Sequence, residues 1–218
     1  MIKLNTYIDH TLLRPDCTAG DVKKLCQEAI RYEFASVCLL PTWVPFAKLL
    51  LQDYSTKIVS VVAFPFGAIT SEAKVLESQK LIEQGAKELD VVMNISLFKS
   101  KKYQEVLKDL SQIVQAVPQA TIKIIVETCL LSPDEKKIAA KICLDSGAHF
   151  IKTSTGFAKS GACIDDIQLF HQLIGHYCGI KASGGIHSAL HALALIEAGA
   201  TRIGTSKGPT IMGQFLNT

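Results

Sequence analysis

Eight short runs of apolar, largely β-branched residues, each followed by a stretch with helical spacing, constrain the fold of this 218-residue chain more than any other feature. The runs lie at residues 7–13, 36–40, 57–64, 89–94, 121–127, 150–152, 179–182 and 201–204. Between the first two, Pro15 and Thr18 stop one element and start another, after which Val22, Leu25, Cys26, Ala29 and Ile30 recur on one helical face. Further along, Ser132 and Glu135 fit a capping box around Pro133, and Gly199 closes the helix before the last strand. Strands that are apolar on both faces and alternate with helices predict a parallel sheet covered on both sides. Eight such units without a linker or low-complexity break predict a single (β/α)8 barrel over residues 1–218, with an open doubly wound sheet as the alternative.

Composition removes several function classes. A hydrophobic fraction of 48% fills a sizeable core and excludes disorder. The net charge of +3 is spread along the chain, and the densest basic run, Lys99-Ser100-Lys101-Lys102, lacks the aromatics or arginines of a nucleic-acid surface. No run approaches the roughly 18 apolar residues of a membrane span, and the first residues carry no apolar leader, so a cytoplasmic protein without membrane contact is expected. Seven cysteines without a Cys-x-x-Cys pair read as reduced core residues. The six histidines form no ligand set; His187 and His191, four apart, read as one solvated helix face. Neither a metal nor another cofactor is expected, and a homodimer or homotetramer is left open.

In a closed barrel every strand's C-terminal end faces one mouth. Asp9, Cys38, Asp90, Asn94, Glu127, Lys152 and Lys181 occupy such positions. Alternation puts Asp90 and Asn94 on one face, with Leu89, Val91 and Met93 on the other, and pairs Phe150 with Lys152. Lys181 lies one strand-helix unit after Lys152, so the two should stand on adjacent strands about 4.8 Å apart. A buried lysine beside another cation gives up its proton more readily and becomes a nucleophilic amine, while Asp90 supplies the balancing charge. The structural alternative is a buried ion pair with the second lysine reaching outward. Spacing alone leaves open which lysine would react. Glu127 could orient a lysine or close a loop.

Glycine turns follow the last three strands: Thr155-Gly156, Ser183-Gly184-Gly185 and Gly204-Thr205-Ser206. Backbone N–H groups at such turns, opening onto helix starts, suit a phosphate. A phosphorylated small molecule is the expected ligand.

Five segments carry a family resemblance: Asp9-His10-Thr11-Leu12, Val37-Cys38-Leu39-Leu40-Pro41, Glu88 to Asn94, Lys152-Thr153-Ser154-Thr155-Gly156 and Lys181-Ala182-Ser183-Gly184-Gly185. In order and over nearly the whole chain they resemble deoxyribose-phosphate aldolases. The resemblance implies a class I aldolase on a (β/α)8 barrel, cleaving 2-deoxy-D-ribose 5-phosphate reversibly to glyceraldehyde 3-phosphate and acetaldehyde in deoxynucleoside breakdown. It implies a Schiff base on Lys152, with Lys181 acting on that amine and Asp90 in the proton relay. It also implies substrate contacts from Asp9, Cys38 and Thr155, and phosphate contacts around Gly156, Gly184, Gly185, Gly204 and Ser206. Phe157 stands where some members carry a lysine. On this basis Lys181→Leu should lose most activity and leave the fold intact. The rivals are a phosphosugar isomerase, which would use a carboxylate base and no imine, and a barrel that binds a phosphometabolite without turnover.

Overall fold

The computed structural model describes residues 2–216. Its eight described strands are β1 (Ile8–Leu12), β2 (Ser36–Leu39), β3 (Lys57–Val62), β4 (Glu88–Val92), β5 (Thr121–Ile125), β6 (Phe150–Lys152), β7 (Gly179–Ser183) and β8 (Arg202–Thr205). All pair in parallel and in sequence order, and β8 returns to β1 with Ile8 opposite Ile203, so the sheet closes into a barrel. The doubly wound alternative is thereby removed. The outer layer comprises α1 (Ala19–Tyr32), α2 (Val44–Leu51), α3 (Ser71–Gln84), α4 (Ile95–Lys99), α5 (Tyr103–Ala116), α6 (Pro133–Asp145), α7 (Ile164–Ile174), α8 (Ala189–Glu197) and α9 (Gly208–Leu216).

Local chemistry accounts for these boundaries. Thr18 and Ser132 each form a full capping box, with Asp21 and Glu135 respectively, and satisfy backbone N–H groups left open at the starts of α1 and α6. One helix, α4, lies outside the expected alternation. It exists because Asn94, expected to face the barrel interior with Asp90, leaves the strand and accepts from Leu97 N at 3.1 Å as a helix cap. Strand β3 ends two residues early because Ala63 turns into the left-handed region. The chain then doubles back so closely that a Cβ on Gly67 would lie 2.1 Å from Met93 O.

Alternation divides the barrel's residues cleanly. Outward-facing Ile8, Val37, Leu89, Val91, Ile122, Ile124, Ile151, Ile180 and Ile203 pack into the main core beneath the helices. Inward, the barrel is split. Cys38, Val59 and Val61 form a small apolar cluster with Leu13, whereas charged side chains occupy the space between β4 and β1 on the other side.

A second buried ion pair lies outside the barrel. Lys74 on α3 reaches Asp109 on α5 at 2.6 Å and donates to Val92 O at 3.2 Å, with neither side chain open to solvent. Removing one partner strands the other charge without water. Asp109→Ala should therefore cost about 3–5 kcal/mol, and the double change Lys74→Met, Asp109→Leu should recover most of it. Urea denaturation of the two variants checks both values.

Candidate active site

The charged half of the barrel interior is one connected network. Asp90 lies at its centre: Oδ2 accepts from Lys152 Nζ at 2.8 Å and from Lys181 Nζ at 2.7 Å, while Oδ1 lies 3.2 Å from Lys123 Nζ. Lys152 and Lys181 are directly opposite one another on neighbouring strands, as their spacing predicts. Asp9 holds Lys181 from the other side at 2.5 Å and takes Arg202 at 2.6 Å and the Ser36 hydroxyl at 2.5 Å. Glu88 completes the set, 2.5 Å from Lys123 and 3.2 Å from Arg202. The Phe150 ring closes it from the side, lying 5.6 Å from the Arg202 guanidinium and 5.9 Å from Lys123 Nζ.

Electrostatics sort these groups. Burial by itself would raise the pKa values of Asp9 and Asp90, but the surrounding cations outweigh it and hold both well below the usual carboxylate range. Glu88 is lowered in the same way, chiefly by Lys123 against its own burial. Burial opposes the charge of Lys181 too, yet Asp9 and Asp90 overcome it and raise that amine, so Lys181 is fixed as a cation. The Cys38 thiol, 3.8 Å from Asp90, is pushed by burial up to about 11 and stays neutral.

Above the network opens a cavity of about 340 Å³. Among the network's members Lys152 is the one that lines it, together with Thr155, Gly156, Phe157, Gly184, Gly185, Gly204 and Ser206. Asp90, Lys181, Asp9 and Cys38 lie beneath, so Asp9 and Cys38, expected at the pocket wall, are fully buried supports of it. Gly204 belongs to β8, where a Cβ would come within 3.1 Å of the Lys181 stem. Gly156 and Gly185 have positive φ and open space where a Cβ would point. His187 precedes the Ser188 cap of α8 and lines the cavity, away from the helix face predicted for it.

The turn after β6 is firmly tied. Ser183 N donates to Thr153 Oγ1 at 3.1 Å, and Ser183 Oγ donates to Ser154 O at 2.6 Å. Glu127 accepts from Thr155 N at 3.2 Å and from the Thr155 hydroxyl, so this side chain closes a loop and does not orient a lysine.

Sequence spacing missed Glu88, Lys123, Arg202, Ser36 and the cavity-lining Arg14. A signal was available for the first two. Glu88 stands two residues before Asp90 on the same strand face, and Lys123 interrupts an apolar strand just as Lys152 does. Arg202 becomes legible only when closure brings β8 against β1. Among the described residues no group of three or more His, Cys, Asp or Glu could hold a metal ion, and no helix is long and apolar enough to cross a membrane.

Comparison with known proteins agrees with this geometry. The family model of the DeoC/LacD family aldolases matches residues 3–213. A deoxyribose-phosphate aldolase of Natranaerobius thermophilus is 47% identical over 96% of this chain and 96% of its own. One from Carboxydothermus hydrogenoformans is 45% identical over 96% of this chain and 94% of its own. Among solved structures, the tetrameric deoxyribose phosphate aldolase of Aeropyrum pernix superposes with a TM-score of 0.92 at 34% identity, covering 98% of this chain and 91% of that one. Matched along nearly its whole length, with its barrel intact, the chain belongs to the DeoC/LacD aldolase family.

Proposed function

We propose that this chain cleaves 2-deoxy-D-ribose 5-phosphate reversibly to glyceraldehyde 3-phosphate and acetaldehyde through a Schiff base on Lys152. The observation that carries the assignment of the lysine is its position: Lys152 alone among the network's members opens onto the cavity, whereas Lys181 is buried and clamped by two carboxylates. Inside the barrel four cations, Lys123, Lys152, Lys181 and Arg202, face three carboxylates, Asp9, Glu88 and Asp90. One positive charge is in excess. Lys152 has a single carboxylate partner and lines the cavity, so it is the member of the network placed to meet a carbonyl carbon.

The neutral amine attacks the sugar's carbonyl carbon, and loss of water gives a protonated imine. That imine draws the electron pair of the C2–C3 bond as the bond breaks and the 3-hydroxyl loses its proton; the resulting enamine is protonated at C2 and hydrolysed to acetaldehyde. Asp90 accepts from Lys152 and is held on its other side by the Lys181 cation, which places the carboxylate to take part in these proton movements. The phosphate is assigned to the backbone at Gly156, Gly184, Gly185 and Ser206, with Arg14 as the neighbouring cation. We further propose that residues 1–218 form one catalytic domain, that the enzyme is cytoplasmic without nucleic-acid or membrane partners, and that it assembles as a dimer or tetramer. The tetrameric relative at 34% identity supports assembly.

Lys152→Arg keeps the charge but offers no free amine, so turnover of deoxyribose 5-phosphate should fall at least about 1000-fold. Native turnover in that variant would refute the imine. Lys181→Leu should lower kcat by at least about 100-fold. The network also revises its expected effect on the fold: Asp9 keeps Arg202 and Asp90 keeps Lys123 and Lys152, but each loses a fully buried ion-pair partner, so the variant should lose some stability and will not be structurally silent. Thermal unfolding and kcat below the variant's transition separate the two effects. Unphosphorylated deoxyribose should react through the same lysine with kcat/KM lower by on the order of 100-fold; equal rates would remove the phosphate assignment.

A further inference from the structure

Lys74 and Asp109 are buried together in the helical layer, and the reaction above uses neither. A buried ion pair adds little stability over an apolar pair of the same volume, so stability does not account for this one. What an apolar pair cannot supply is a hydrogen-bond donor. Besides its 2.6 Å contact with Asp109, Lys74 Nζ donates to Val92 O at 3.2 Å, and Val92 is the last residue of β4.

Pairing of β3 with β4 runs only as far as Val62 opposite Val91, because Ala63 then turns into the left-handed region. The next carbonyl along β4 is the one that Lys74 meets. One turn further along the same face of α3, Glu77 accepts from Ala63 N at 2.9 Å. Helix α3 thus ties the mouth ends of two neighbouring strands, β4 through a cation and β3 through a carboxylate. Two residues before Val92 stands Asp90, whose Oδ2 accepts from Lys152 Nζ at 2.8 Å. We propose that Lys74 is a positioning residue: by holding the Val92 carbonyl it fixes the mouth end of β4 and keeps Asp90 in place against Lys152. Asp109 keeps the Lys74 charge paired within the core. Resting on the aldolase reaction proposed above, this role acts through Asp90, the carboxylate placed to take part in its proton movements.

Two variants separate placement from stability. Lys74→Met, Asp109→Leu leaves no charge unpaired in the helical layer, but also no donor for Val92 O. Its thermal transition should stay near the native one. Its kcat for deoxyribose 5-phosphate should nevertheless fall by at least about tenfold, with KM within about twofold, because a small misplacement of a reacting group is costly. Borohydride with acetaldehyde should still label Lys152 to completion, since that lysine stands on β6. Asp109→Asn is the converse. It removes the charge partner and keeps the donor, so it should unfold earlier and yet, assayed below its transition, turn over within about twofold of the native chain. If the double variant does not fold, Lys74→Met, Asp109→Asn takes its place with the same expected loss. Native kcat in the folded double variant would show that Lys74 only fills the core. Loss of kcat and label together, or an equally slow Asp109→Asn, would show general damage and overturn the role as well. Failure of the aldolase reading would look different: neither turnover nor label in the native chain, which would remove this role with it.

Discussion

The structure depends on a single carboxylate shared among three ammonium groups. Asp90 sits at zero solvent exposure with Lys123, Lys152 and Lys181 around it, an arrangement in which each ion would cost several kcal/mol to bury alone. Mutual attraction, extended through Asp9, Glu88 and Arg202, offsets that cost. The network also requires the barrel to be closed, because the Arg202–Asp9 contact crosses the seam between the last strand and the first. Fold and site are therefore the same physical object. An open sheet would separate Arg202 from Asp9 and leave both exposed to unpaired burial.

Within that object the two lysines differ by environment alone. Lys181 has carboxylates on two sides and no access to the cavity, which makes it a permanent charge. Lys152 has one carboxylate beside it and the cavity above. Lys181 is thus a fixed cation on the strand next to Lys152, and it does not line the cavity. The apolar cluster of Cys38, Val59 and Val61 fills the opposite wall.

Much of this was legible in the chain itself. The eightfold alternation gave the barrel, and the one-unit spacing of Lys152 and Lys181 gave their adjacency. Other features were hidden for identifiable reasons. Strand periodicity says that Asp90 and Asn94 share a face only while the strand continues, and here it ends at Val92, leaving Asn94 to cap a helix. Glu88 and Lys123 resemble solvated strand-end charges until their strands are paired, when Asp90 and Lys123 prove to lie opposite each other. Asp9 and Cys38 are at the mouth by strand position, yet their side chains point below the cavity floor. Depth along the barrel axis is a property of strand register, and one strand read alone does not contain it.

The central claim is that the cavity-lining member of the lysine pair carries the covalent intermediate. Incubation of the native chain with acetaldehyde and borohydride, followed by mass spectrometry and peptide mapping, measures this directly, because an imine is reduced in place to a stable amine. The expected result is one two-carbon unit per chain, on Lys152, and none there in Lys152→Ala. Label on Lys181 would reverse the roles assigned to the two lysines, and the absence of any active-site label would contradict the imine altogether.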